Sequence, residues 1–274
     1  MRTNKAYQFI SLAIVAGIFS AGFSSCTGKS SKKSSPVAEE TIKLEIEEYA
    51  YPLPSAFEVT NMLNEIEASY IVGIANDPEK AASYLSEKSK AINLGIYTAD
   101  LAYATTYNQK TDIQAFFKAS ETLVRELDFT SAFDQDLADQ IDASMDNKDK
   151  LVEIVTDMFQ NAYSYLNKQG RTELSYLVLS GTVIEGLYLT THISENTFQN
   201  PKIIEAILFQ KEPLAELEKM LAYFEGSELL GDVQEDIKRI NAIYAQEEGT
   251  TSMTEKQVLE LTETLTKIRE NLVK

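Results

Sequence analysis

Two stretches decide how this chain folds: Asp100-Leu101-Ala102-Tyr103-Ala104-Thr105-Thr106-Tyr107 and Glu185-Gly186-Leu187-Tyr188-Leu189-Thr190-Thr191-His192. They align without a gap, position 185 on position 100. An acid, a tyrosine three residues on, two threonines and a terminal aromatic ring all match. Read at helical spacing, Ile96, Asp100, Tyr103 and Tyr107 share one face, and Gly181, Glu185, Tyr188 and His192 share another. The remaining faces carry Leu94, Tyr97 and Leu101 in one segment and Val183, Ile184 and Leu187 in the other. A helix that is apolar nearly all round belongs inside a protein. Both segments are therefore read as central helices, and each holds one acid that must be paired, protonated or set against a cavity.

Working outward, the pattern is helical from Ser55 almost to the end. Ser55 with Glu58 has capping-box spacing, and Met62, Ile66 and Tyr70 continue a helix that stops at Asn76-Asp77-Pro78. A long helix is expected over 78–108, bent near Ser86. Further helices are expected over 111–127, 131–145, 149–169 with Gly170 as the stop, and 172–193. Pro201 opens another, which Pro213 kinks or restarts. The last two are expected over 229–246 and after Thr254, where Gln257 completes a capping box. The final seam is Val258, Leu261, Leu265, Ile268 and Leu272. The expected fold class is all-α, a multi-helix antiparallel array joined by short connections. The aligned stretches suggest two related halves, 55–145 and 148–226, followed by C-terminal helices over 227–274. An alignment of eight positions drawn from a helix-rich alphabet also arises by chance. Ile42, Leu44 and Ile46 alternate with Lys43, Glu45 and Glu47, which reads as a short extended arm.

The N-terminus has a different plan. Arg2 and Lys5 precede an apolar run to Phe23, and Ser24 and Ser25 lead to Cys26, the single cysteine. Basic start, apolar middle and small residues at the cut are the three parts of an export signal. Phe23-Ser24-Ser25-Cys26 resembles the lipobox of bacterial lipoproteins, with Phe23 where that motif usually has Leu. The resemblance implies cleavage after residue 25, a diacylglycerol on Cys26 and attachment to a membrane through acyl chains such as palmitate. Thr27 is similar to the residue that follows the cysteine in Gram-negative outer-membrane lipoproteins, so the implied location is the outer membrane, facing the periplasm or the surface. The Gly95-to-Tyr103 stretch resembles exported all-helical lipoproteins that carry no named activity. The expected organisation is a signal over 1–25, a polar serine-rich tether over 26–38 and one helical domain over 39–274.

Composition bounds the function. The chain has 25 basic and 42 acidic residues, a formal charge of −17. Such a field disfavours nucleic acid and favours a cationic small molecule or a basic protein partner. His192 is the only histidine, so neither a Cys/His zinc site nor a di-iron Glu-x-x-His pair can be built in one chain. No P-loop, G-x-G-x-x-G or G-x-S-x-G motif is present. No cofactor or metal is expected. Asp142, Ser144, Asp146 and Glu153 fit part of a calcium-loop template, but Asn147 stands at the turn position that needs Gly, and Asp caps explain the same residues.

What remains is a candidate site made of Asp100, Tyr103, Tyr107, Glu185, Tyr188 and His192. One reading is a pocket holding a cationic or hydroxyl-rich ligand between the central helices. Another is a hydrogen-bond network that fixes packing. For the whole protein, the leading expectation is a lipid-anchored ligand-binding or scaffolding body without catalysis. The rivals are a hydrolase or lyase using Asp100 and Glu185, and a purely structural envelope protein.

Overall fold

The absence of a polar face on the two decisive segments determines where they sit. In the computed structural model, which describes residues 56–132, 136–194, 197–245 and 252–274, helix α1 covers Ala56–Glu65 and helix α2 covers Glu87–Thr106. Every residue of α2 from Ala91 to Thr106 is buried. Next come α3 over Lys110–Glu126, α4 over Leu137–Ala143 and α5 over Lys148–Lys168. Helix α6, Thr172–His192, is the second central element and is buried along almost its whole length. Four more follow: α7 over Pro201–Phe209, α8 over Lys211–Ala222, α9 over Gly231–Tyr244 and α10 over Glu255–Leu272. All regular elements among the described residues are helical, with short 3₁₀ turns between them. The export signal, Cys26, the tether, the extended arm and Ser55 lie outside the described residues.

Helices α2 and α6 make the most extensive contact among the described helices. They start at 87 and 172, the same offset that relates Asp100 to Glu185. They run parallel: Gly181 meets Ile92, Gly95 meets Val178 and Thr182, and Asp100 meets Glu185. Backbone touches backbone here. A Cβ at Gly95 would stand 1.9 Å from the Val178 carbonyl oxygen, and one at Gly181 would stand 2.0 Å from that of Ile92. The Thr182 hydroxyl crosses the gap to the Gly95 carbonyl at 3.1 Å. The small residues in both segments thus serve close approach. Gly186 is different, with Gln210 as its nearest neighbour.

Around this pair, α3 lies antiparallel on α2, with Lys90 paired to Glu126 and Tyr97 stacked on Phe116. Helix α5 returns through Gly170, whose φ of 73° favours glycine, to lie antiparallel on α6. Helix α10 lies antiparallel on α6, with Arg269 beside Glu185 and Thr266 beside His192. Its seam is as the spacing predicts: Val258, Leu261, Leu265 and Ile268 are buried and Leu272 is partly so. Thr254 and Gln257 form the expected capping box.

Three boundaries differ from the sequence reading. Helix α1 stops at Glu65, well short of Asn76; Glu67 takes a left-handed φ of 59°, and the Ala68 N–H caps the Leu63 carbonyl at 3.1 Å. Residues 78–108 do not form one bent helix. A 3₁₀ turn over Pro78–Ser83 gives way at Tyr84, and Ser86 starts α2 anew in a capping box with Ser89. The helix expected over 131–145 is confined to α4, after a 3₁₀ turn at Thr130–Ala132.

Substituting Gly95→Ala forces a methyl group into a backbone carbonyl that cannot move aside. We expect a loss of about 3 kcal/mol, the upper range for overpacking, in urea unfolding. Gly231→Ala, with nothing within 4 Å, should be neutral or mildly stabilising. Equal stability of the two variants would contradict the backbone contact.

Candidate functional site

Parallel register brings Asp100 of α2 against Glu185 of α6, and both side chains are fully buried. Helix α10 delivers the cation. Arg269 follows Leu265 by four residues, so it points along the same seam. Its Nε reaches both Glu185 oxygens, at 3.0 and 2.7 Å, and one terminal nitrogen reaches Oε1 at 2.8 Å. The same nitrogen donates to the Ile74 carbonyl at 3.2 Å. Burial alone would pull the Arg269 pKa down, but the Glu185 charge and its hydrogen bonds outweigh it and leave the guanidinium firmly protonated.

Asp100 accepts the Asn76 backbone N–H on Oδ2 at 3.1 Å. Its Oδ1 is buried and receives no N–H or hydroxyl donor among the described residues. The Asp100 side chain does meet the Glu185 carboxylate. Two carboxylates and one guanidinium carry a surplus negative charge, which a buried site cannot hold cheaply. A proton on Asp100, donated to Glu185, removes the surplus. Burial first, then the Glu185 charge, push the Asp100 pKa well above the usual carboxylate range, against the opposing pull of Arg269 and the Asn76 N–H.

The other four candidate residues divide into two groups. Tyr188 lies under Arg269, whose guanidinium carbon is 4.2 Å from the ring centre. His192 stacks on Tyr188 at 4.0 Å and stands 2.8 Å from the Tyr188 carbonyl through Nδ1, which fixes Nδ1 as the protonated nitrogen. Its Nε2 faces the Thr266 hydroxyl at 2.9 Å. Burial and then Arg269 lower the His192 pKa against the opposing carbonyl bond, so the ring is neutral at pH 7. On the other side, Tyr103 and Tyr107 join Tyr70 in an aromatic cluster, with ring centres 4.7 to 5.7 Å apart. The Tyr103 hydroxyl accepts the Ile71 N–H at 2.9 Å, and Tyr70 donates to Asp112. Burial lifts the Tyr103 pKa to about 12. Tyrosine hydroxyls are the expected partners of the two acids, but the structure gives that role to Arg269 and to the Asn76 N–H. A guanidinium neutralises charge, which a phenol cannot.

Arg269 is the residue that sequence reasoning misses. The signal for it was two acids inside apolar helices and a basic residue at the i+4 position of a buried seam. Asp142 and Asp146, from the calcium template, receive Gln114 and Lys110, while Asn147 caps α5. Among the described residues no group of three His, Cys, Asp or Glu side chains is placed to hold a metal. No helix among them is long and apolar enough to cross a membrane.

The seam opens at its His192 end. A cleft of about 370 Å³ lies there between the end of α6, the turn at Thr197–Gln199 and the first half of α10. His192 forms part of its wall, and Phe198 and Leu259 stand at it as exposed apolar side chains. Comparison with known proteins finds no matching family model, no matching curated protein and no matching solved structure.

Arg269→Met strands Glu185 as a buried unpaired charge and should cost about 3–5 kcal/mol in urea unfolding. The double variant Glu185→Leu/Arg269→Met should recover most of that loss; equal damage in both would contradict the ion-pair account. Asp100 also sets a pH dependence. Its folded pKa is raised, so its contribution is full below the unfolded value of about 3.9 and is lost as pH rises through the folded value. Asp100→Asn keeps the shape and the donor. It should therefore gain stability relative to wild type as pH rises across that window. A constant difference between the two proteins at all pH values would contradict the protonated acid.

Proposed function

We propose that this chain is an exported protein held at the outer membrane by acyl chains on Cys26, with a helical body that binds a ligand at the cleft beside His192. The observation that carries the reading is the cleft itself. Its volume falls in the range of small-molecule sites. Phe198 and Leu259, 40% and 57% exposed, leave apolar surface in water at one opening. Isolated exposed apolar side chains need no explanation, but two on one concave site form a surface that a partner can cover.

The rival reading, a hydrolase or lyase using Asp100 and Glu185, is less well supported. Both acids have no exposure, Glu185 is held bidentately by Arg269, and the glycine contacts close the helix pair next to them. A substrate could reach them only by prying α10 from α6. The three-residue network is better suited to fixing the walls of the cleft: His192 belongs to both, through Tyr188 on one side and the cleft on the other. A purely structural role in the envelope gives the cleft nothing to do.

Native mass spectrometry of the full mature protein taken from its own envelope tests this reading. Wild type should carry a non-covalent adduct that is lost on denaturation, and the Phe198→Ser/Leu259→Ser variant should lack it. The denatured mass should include a diacylglycerol, absent in Cys26→Ser, which should also leave the membrane fraction. The same adduct on the cleft variant, or a clean apo mass on both proteins, would contradict binding at the cleft.

A further inference from the structure

The chemistry of the cleft narrows its ligand. Beside the Ser194 hydroxyl and the Gln199 amide, the cleft is lined by three threonine hydroxyls that already donate to backbone carbonyls: Thr191 to Leu187 at 2.9 Å, Thr197 to Ser194 at 2.7 Å and Thr262 to Val258 at 2.8 Å. What each still offers is an acceptor lone pair. His192 donates its Nδ1 proton to Tyr188 and is neutral. Among the described residues, Glu255 is the only formally charged side chain that lines the cleft, and it is exposed at the rim. A shallower depression on the far side of Leu259 shares Glu255 and adds Glu260, Glu263 and Lys256, so the approach is net negative. The start of α10 is a poor lure for an anion, because the Thr254 hydroxyl already accepts the Gln257 N–H at 3.3 Å.

One carboxylate, the remaining threonine lone pairs and two apolar jaws fit a ligand that donates hydrogen bonds, carries positive charge and has an apolar body. We infer that the cleft takes an organic ammonium ion, with its nitrogen at Glu255 and its ring or short chain between Phe198 and Leu259. The Phe198 ring adds a face on which a cation is stabilised. This inference rests on the cleft being the binding site. It assigns the ligand class that this site selects, and it agrees in sign with the −17 charge of the chain.

The test is a calorimetric titration of the full mature protein with three probes of one shape: phenethylamine, 2-phenylethanol and phenylacetate. Wild type should bind the amine saturably, the alcohol about tenfold more weakly and the acid not at all, tenfold being about 1.4 kcal/mol. Glu255→Gln should bring the amine down to the level of the alcohol. Leu259→Ser should weaken both amine and alcohol. Both positions are solvent-exposed, so both variants should melt with wild type. Equal binding of amine and alcohol, preference for the acid, or indifference to Glu255→Gln overturns the ammonium assignment while leaving the cleft as a site. Failure of all three probes to bind overturns the assignment and the cleft reading together.

Discussion

The Arg269–Glu185 pair is the constraint on which the rest of the structure depends. Helices α2 and α6 lie too close for anything but small side chains at their crossing, yet each carries an acid into the interior. Without a cation that interior would hold surplus charge. Helix α10 supplies it from the far end of the chain, and in doing so ties the C-terminal helix to both central ones. The carbonyls at its end are closed from α2 and the 3₁₀ turn before it, with Asn93 donating to Leu272 at 2.8 Å and Lys80 to Val273 at 2.9 Å. Fold closure and charge neutralisation are thus one event.

The segment from Ile66 to Asn76 shows how that constraint overrides local preference. Met62, Ile66 and Tyr70 recur at helical spacing, and nothing in the sequence forces a stop at Glu65. In a helix, however, the Ile71 and Asn76 N–H groups would be bonded within the backbone. In the structure they go to Tyr103 and Asp100, and the Ile74 carbonyl, which faces Pro78 in a helical register and would lack a donor there, accepts from Arg269. The chain leaves the helix so that its main chain can serve the buried polar groups, which have no water to turn to.

Much of this was legible beforehand. The two central helices announced themselves through apolar residues on every face, and the shared register of Asp100 and Glu185 placed the acids side by side. Thr254 with Gln257, Gly170 and the seam of α10 were readable because capping and periodicity are local. Arg269 was not, because a sequence shows which charges lack a partner but not which distant helix brings one. Tyr103 and Tyr107 sit on the same helical face as Asp100, yet Tyr70 draws them into a separate aromatic cluster. The cleft was invisible for a related reason. Of its lining residues only His192 belonged to the candidate set, while Phe198 and Leu259 acquire meaning when α10 is laid beside the end of α6. Fold class lies in short-range pattern, and the site lies in long-range packing.

The central claim is that the buried network balances its charge by keeping a proton on Asp100. Carbon-13 NMR of the carboxyl carbons, with Asp100 assigned by comparison with Asp100→Asn, reads that proton directly. The account predicts that the Asp100 carboxyl resonates as a neutral acid at pH 7 and that its shift stays flat through the range where exposed aspartates titrate. A carboxylate shift at pH 7, titrating near 4, would mean that Asp100 is ionised beside Glu185, and the balance described here would be wrong.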